Sequence, residues 1–184
     1  VMADVSGKGI PGAMFMMNAK TLIKSHAESG LAVHDVFTQV NSLLCENNAA
    51  GMFVTAWMGI LDLETGRVCY ANAGHNPPVV RRKDGTYEYL KGKSNFVLAG
   101  MEGIRYIEQQ LQLQQGDEIY LYTDGVTEAH DSNSQLFGED RLLASLNCAA
   151  NMPVDDICKK VKADVEYEYK HGMNQLTLSK KMRG

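Results

Sequence analysis

Two stretches of this chain share one design, and that design limits what the chain can fold into. Val1-Met2-Ala3-Asp4-Val5-Ser6-Gly7-Lys8-Gly9 is a short apolar strand that ends in a carboxylate and breaks at once into a glycine turn. Ile119-Tyr120-Leu121-Tyr122-Thr123-Asp124-Gly125-Val126-Thr127-Glu128-Ala129 repeats it, with an apolar strand, an Asp at its end, a Gly and a helix start. A strand that delivers an acidic side chain to a turn aims that carboxylate outward, and two such aspartates can share one metal cluster. An Asp before Ser-Gly or Gly is also a common turn or helix cap that accepts from backbone N–H groups. Either aspartate taken alone therefore reads as structural.

The rest of the chain supplies strands between and helices at both ends. Pro11 suits a first helical position, and Phe15, Met16, Ala19, Leu22 and Ile23 recur at helical spacing, which predicts a helix over 11–28. Val33, Val36, Phe37, Val40, Leu43 and Leu44 predict a second helix, from after Gly30 to near Asn47-Asn48, packed with the first on one sheet. Residues 52–63 read as a strand apolar on both faces, joined through Glu64-Thr65-Gly66 to a strand over 67–73, a central hairpin. Short strands are expected at 78–82, 86–90 and 105–113, giving a meander, with turns at Lys83-Asp84-Gly85 and Gln115-Gly116-Asp117. Helices follow at 139–149 and 153–170, the latter opened by Pro153 and carrying a stripe of Val154, Ile157, Cys158, Val161 and Val165. This order implies an α+β layered domain, and the absence of repeats or linkers implies a single domain over 1–184.

Charge and cysteine usage narrow the function. A formal net charge of -4 argues against nucleic acid, which demands clustered Lys and Arg. Cys45, Cys69, Cys148 and Cys158 are far apart inside apolar patterns and read as reduced core residues of a cytoplasmic protein. No apolar run reaches the roughly 20 residues of a membrane span, and the N-terminus shows no signal peptide. Val1 starts within a strand-like segment, which reads as a fragment or the tail of a larger protein.

Between the two aspartate motifs lies Tyr70-Ala71-Asn72-Ala73-Gly74-His75-Asn76-Pro77-Pro78. With it, the ordered set resembles the bacterial stage II sporulation E-like branch of the PPM, or type 2C, serine/threonine phosphatases over nearly the whole chain. The resemblance implies antiparallel β-sheets layered with α-helices, an α-β-β-α sandwich incomplete here at its N-terminus. It implies metal-dependent hydrolysis of phosphoserine or phosphothreonine on a regulatory protein such as an anti-sigma-factor antagonist, governed by an upstream sensor or receiver domain. Asp4 would bridge two ions, Val5 would lend its carbonyl, Asp124 would hold one ion, and a metal-bridging water would attack. Such chemistry commonly uses two divalent cations about 3.5–4 Å apart, and Mn²⁺ and Mg²⁺ both favour hard oxygen ligands of this kind.

Three neighbouring residues have plainer readings. Lys8 lies between glycines, but the first Gly of a Walker loop is missing and Gly9 stands where Ser or Thr is required, so it reads as an exposed turn lysine near the substrate phosphate. His75 is a candidate general acid, but its setting favours a tight-loop role. Glu128 reads either as an acid beside Asp124 or as a first-turn helix carboxylate.

The family pattern also fails in two places. A Gly-Gly-Asp motif with a nearby Tyr-Asp belongs upstream of where this chain begins. The closing Asp-Asp pair is missing from His171-Gly172-Met173-Asn174-Gln175-Leu176-Thr177-Leu178, and no carboxylate side chain follows Glu168. If Gln175 and Thr177 are the family's Gln and Thr, about four residues are lost between them, with Asn174 a poor substitute ligand. Weak metal binding and little hydrolysis are therefore expected, with a pseudophosphatase that binds phosphoproteins as the alternative. A sheet edge left unpaired by the lost strand invites dimerisation.

Overall fold

A computed structural model of the chain describes residues 1–46, 48–131 and 133–171, the last four by backbone alone. In chain order the elements are β1 (Met2–Val5), α1 (Gly9–Glu28), α2 (Val33–Glu46), β2 (Val54–Leu61), β3 (Arg67–Ala73), β4 (Val79–Arg81) and β5 (Tyr87–Tyr89). They continue with β6 (Gln109–Gln112), β7 (Glu118–Tyr120), α3 (Asp124–Thr127), α4 (Gly138–Cys148) and α5 (Val154–His171). The chain divides into two compact units, one of Val1–Pro77 with Lys91–Gln115 and one of Pro78–Leu90 with the chain from Gly116 onward. All strand pairings are antiparallel, so the fold is α+β as the element order implied.

The first unit is a four-stranded sheet of order β1-β2-β3-β6 with α1 and α2 packed on one face. Strand alternation sends Ala3, Val5, Val54, Ala56, Met58, Ala71 and Ala73 to that face. Small residues there let the helices approach, and α2 fills the space with Val33, Val36, Phe37, Val40 and Leu44, all buried. Each such large side chain contributes about 1.5–3 kcal/mol by leaving water. The α1 helix starts two residues earlier than Pro11 suggested; its first turn has no intrahelical N–H partners, so a proline three residues in is still tolerated. Its second apolar stripe, Ile10, Met14 and Met17, is exposed. The β2 strand is apolar on both faces as far as Met58, then exposes Ile60 and Leu61.

The second unit has a three-stranded sheet of order β5-β4-β7 and a separate core of Val79, Tyr87, Tyr122, Phe137, Leu142 and Leu146, closed by Ile157 and Val161 of α5. The expected meander does not form. Its strands divide between two sheets, because β3 pairs with β6 rather than β4, and β4 is flanked by β5 and β7. The strand expected over 105–113 shrinks to β6, since Tyr106 is drawn instead onto α2, where its N–H meets Thr38 and its ring meets Phe37 edge-on.

The cysteine reading is also corrected. None of the four is buried: Cys45 and Cys69 are half-buried, and Cys148 and Cys158 are exposed. Cys158 follows Ile157 by one residue, about 100° around the helix from the stripe that Ile157 and Val161 bury. Val154 is likewise exposed. Among the described residues no helix is long and apolar enough to cross a membrane. The Gln175 and Thr177 reading lies outside the described residues.

Candidate metal centre

Asp4 belongs to β1, where it pairs with Thr55, and Thr55 Oγ1 lies 3.0 Å from Nδ1 of His75. Directly paired residues share a sheet face, so Asp4 stands beside a Thr–His pair on the face opposite α1 and α2. His75 is buried, and Asn72 clamps its backbone: the His75 N–H donates to Asn72 Oδ1 at 2.8 Å, and Asn72 Nδ2 donates to the His75 carbonyl at 2.9 Å. Gly74 makes this loop possible with φ +69°, and a Cβ there would meet the Val97 side chain at 2.5 Å. The ring of His75 is thus held inside a tight loop, as its sequence setting suggested.

The Val5 carbonyl has a direction that follows from the ladder. Val54 uses both its N–H and its C=O on Leu98, at 3.0 and 2.9 Å. The Val5–Val54 pair is therefore a non-hydrogen-bonded pair of the β1–β2 ladder. The flanking pair agrees, because the Ser6 N–H donates to the Phe53 carbonyl at 2.9 Å. The Val5 carbonyl consequently points off the outer side of β1, which is the end strand of its sheet among the described residues. Beyond it, Gly7 and Gly12 touch: a Cβ on Gly12 would come 2.4 Å from the Gly7 carbonyl oxygen, so the turn and the first coil of α1 pack backbone on backbone. Lys8 is exposed and occupies the cap position of α1 without a side-chain capping bond.

Asp124 lies in the second unit. Its strand stops earlier than expected, at Tyr120, and buried Tyr122 anchors the segment that leads to it. Extended Thr123 then hands the chain to the single turn of α3, whose first residue is Asp124, exposed. Glu128 ends that turn instead of opening it, its N–H donating to the Asp124 carbonyl, so the first-turn reading of Glu128 does not hold.

Neither Asp4 nor Asp124 enters an ion pair among the described residues, and neither carboxylate caps a turn or helix. Two carboxylates and an outward carbonyl are the oxygen donors that Mg²⁺ and Mn²⁺ take. Among the described residues no group of three or more His, Cys, Asp or Glu side chains is gathered to hold an ion.

Sequence reasoning missed Asn41. It sits in the apolar stripe of α2, is fully buried, and donates to the Met101 carbonyl at 2.9 Å while accepting from the Ala99 N–H at 2.9 Å and the Tyr106 hydroxyl at 3.2 Å. An amide among Phe37, Val40 and Leu44 was the signal, since a buried polar group needs a partner.

The model of the stage II sporulation protein E (SpoIIE) family matches residues 1–175. The phosphoserine phosphatase RsbU of Bacillus subtilis strain 168 is 35% identical over 136 residues, which is 73% of this chain and 40% of that protein. Among solved structures, the RsbU and RsbW domains of Rv1364c from Mycobacterium tuberculosis align with a TM-score of 0.76 at 21% identity, covering 91% of this chain and 46% of that one. The SiaA-PP2C domain of Pseudomonas aeruginosa aligns with a TM-score of 0.76 at 21% identity, covering 92% of this chain and 67% of that one. At such identity the structures speak for the fold. The chain spans less than half the length of the curated relatives it matches.

Proposed function

This chain belongs to the stage II sporulation protein E (SpoIIE) family, and from that premise we propose that it is part of a phosphatase domain that hydrolyses phosphoserine or phosphothreonine on a protein with divalent metal ions. The observation that carries the reading is the end of β1, where Asp4 enters no ion pair among the described residues and Val5 turns its carbonyl off the sheet. Asp4 and the Val5 carbonyl of the first unit and Asp124 of the second are the ligands in this reading. Either Mn²⁺ or Mg²⁺ suits such oxygen donors. When bound, a pair of these ions supplies an activated water and screens the phosphate charge. In this reading Lys8, exposed at the turn after Ser6-Gly7, attracts that phosphate. The Asn72–His75 clamp and the Thr55 hydroxyl hold the surface beside Asp4 in one shape.

The substrate in this reading is a phosphorylated regulatory protein, for which an anti-sigma-factor antagonist is the family's model, and an upstream sensor or receiver domain sets the activity. The setting is the cytoplasm. Two carboxylates leave much of the charge of two divalent ions uncompensated, so metal affinity and turnover in this chain are low. One observation favours a second reading, a pseudophosphatase that binds phosphoproteins: acidic groups are not gathered in threes among the described residues.

Calorimetric titration with Mn²⁺, using Asp4→Asn as the blank, separates the two. Saturable binding that the variant loses supports the hydrolase; no binding by the unaltered chain leaves the binding module.

A further inference from the structure

Resting on the phosphatase reading, we infer that a groove in the first unit is the subsite for the substrate's own polypeptide, taking an apolar side chain with a basic neighbour two or three residues from the phosphoserine. The groove has a volume of about 520 Å³ and is walled by Cys45, Phe53, Phe96, Val97, Met101 and Glu102. Phe53, Phe96 and Met101 are 39%, 49% and 55% exposed, a cluster of large apolar side chains held in water at one place. Such clusters mark binding surfaces when they exceed scattered single residues.

The wall is built, not loose. Ala99 adopts φ +63°, a backbone region costly for any residue with a side chain, and Asn41 holds it there from inside the core through Ala99 and Met101. Asn48 adds a hydrogen bond to the Ala99 carbonyl at 3.1 Å. The Phe96 ring lies over Gly100, where a Cβ would come within 2.6 Å of it. A wall ordered before binding lowers the cost of ordering at binding.

The groove is continuous with the end of β1. Phe53 and Ser6 are joined twice, since the Ser6 N–H donates to the Phe53 carbonyl and the Phe53 N–H donates to Ser6 Oγ, both at 2.9 Å. Asp4 precedes Ser6 by two residues, roughly 7 Å along a strand. An extended substrate chain covers that span, plus the reach of a side chain, in two or three residues. The charge preference comes from Glu102, the one carboxylate of the wall among the described residues. Cys45 beside it has its thiol pushed up by burial and by Glu102, so it stays neutral and adds no second charge. A Lys or Arg next to the apolar anchor matches this wall, and an Asp or Glu is repelled.

The test uses two short fluorescein-labelled peptides of Gly and Ser around a central phosphoserine. One carries Leu two residues to either side with Lys beyond, the other Ala and Asp at the same places. Anisotropy titration with the full chain is expected to give about tenfold tighter binding of the Leu-Lys peptide. Phe96→Lys and Met101→Lys, both at exposed positions, remove apolar wall and offset the Glu102 charge, and are expected to abolish that preference without changing p-nitrophenyl phosphate hydrolysis. Equal affinity for the two peptides, or a preference that survives both substitutions, overturns the inference. A dimer in sedimentation that Phe96→Lys dissolves also overturns it, by giving the groove to a second copy. Hydrolysis of p-nitrophenyl phosphate reads the phosphatase proposal separately, since anisotropy needs no turnover.

Discussion

Thr55 faces Asp4 across the β1–β2 ladder, and its hydroxyl is hydrogen-bonded with Nδ1 of His75 at 3.0 Å. The pair links the acidic strand end to the Asn72–His75 loop through one hydrogen bond. Thr55→Val keeps the shape and removes the bond, at a cost of about 1–3 kcal/mol because the ring nitrogen is buried. In a chain of this size each kcal/mol corresponds to about 2–4 °C in Tm. Thermal unfolding of Thr55→Val is expected to begin several degrees below that of Thr55→Ser, which retains a hydroxyl; equal midpoints would show that the bond contributes nothing.

Asn41 and Ala99 form a strained pair whose two halves respond oppositely to substitution. Asn41→Ala abandons the Ala99 N–H and the Met101 carbonyl, and stability is expected to fall by about 2–4 kcal/mol. Ala99→Gly relieves the left-handed backbone at φ +63°, and stability is expected to hold or rise by up to about 1 kcal/mol. Denaturant midpoints decide both, and a loss of stability in Ala99→Gly would contradict the strain argument.

Tyrosines of the second unit make stability fall at high pH. Burial pushes the Tyr120 hydroxyl up to about 12. Tyr87 is raised as well, first by burial and then by its hydrogen bond to Glu118 at 2.5 Å. The unfolded chain loses these protons near pH 10. Between pH 10 and about 12 the folded chain therefore holds more protons than the unfolded one, and stability declines as pH rises; below pH 10 the contribution is fully present. Denaturant titrations at a series of alkaline pH values should show this decline. A flat profile up to pH 12, with tyrosinate absorbance appearing at pH 10 in the folded protein, would exclude it.

Because β1 ends its sheet among the described residues, its outer backbone is a template for another strand. We propose that a second copy pairs there at high concentration. Sedimentation should show mass rising with concentration, and a Pro in place of Ala3 should suppress the rise; a clean monomer throughout would dismiss the pairing.

How much of this was legible in the sequence varied with how local the cause was. The α2 helix was readable because Val33, Val36, Phe37, Val40 and Leu44 keep the helical period and every one is buried. The β1 strand was readable from an apolar run that ends in Asp4 before a glycine turn, and its pleat puts Ala3 and Val5 on the core face and Asp4 on the other. Pairing was not, since β3 finds β6 across more than thirty intervening residues and no local pattern encodes that choice. In α1 the period announced a helix without saying which apolar face is covered: Ala19 and Ile23 are buried, and Met14 and Met17 are exposed. At the site, Asp4 and Asp124 stood out through their strand-turn settings. The groove wall did not, because Phe53, Phe96 and Met101 lie in separate segments that the Asn41 and Asn48 bonds and the Val54–Leu98 pair bring together.

Val54 has Val5 on one side and Leu98 on the other. The acidic strand end and the groove loop are therefore two flanks of a single residue, and neither shifts without pulling the same backbone. A wall tied to a strand end in this way takes its shape as the sheet forms. Under the phosphatase proposal, discrimination between two phosphopeptides is therefore expected in how long each stays bound, with the backbone around Val54 alike in both complexes.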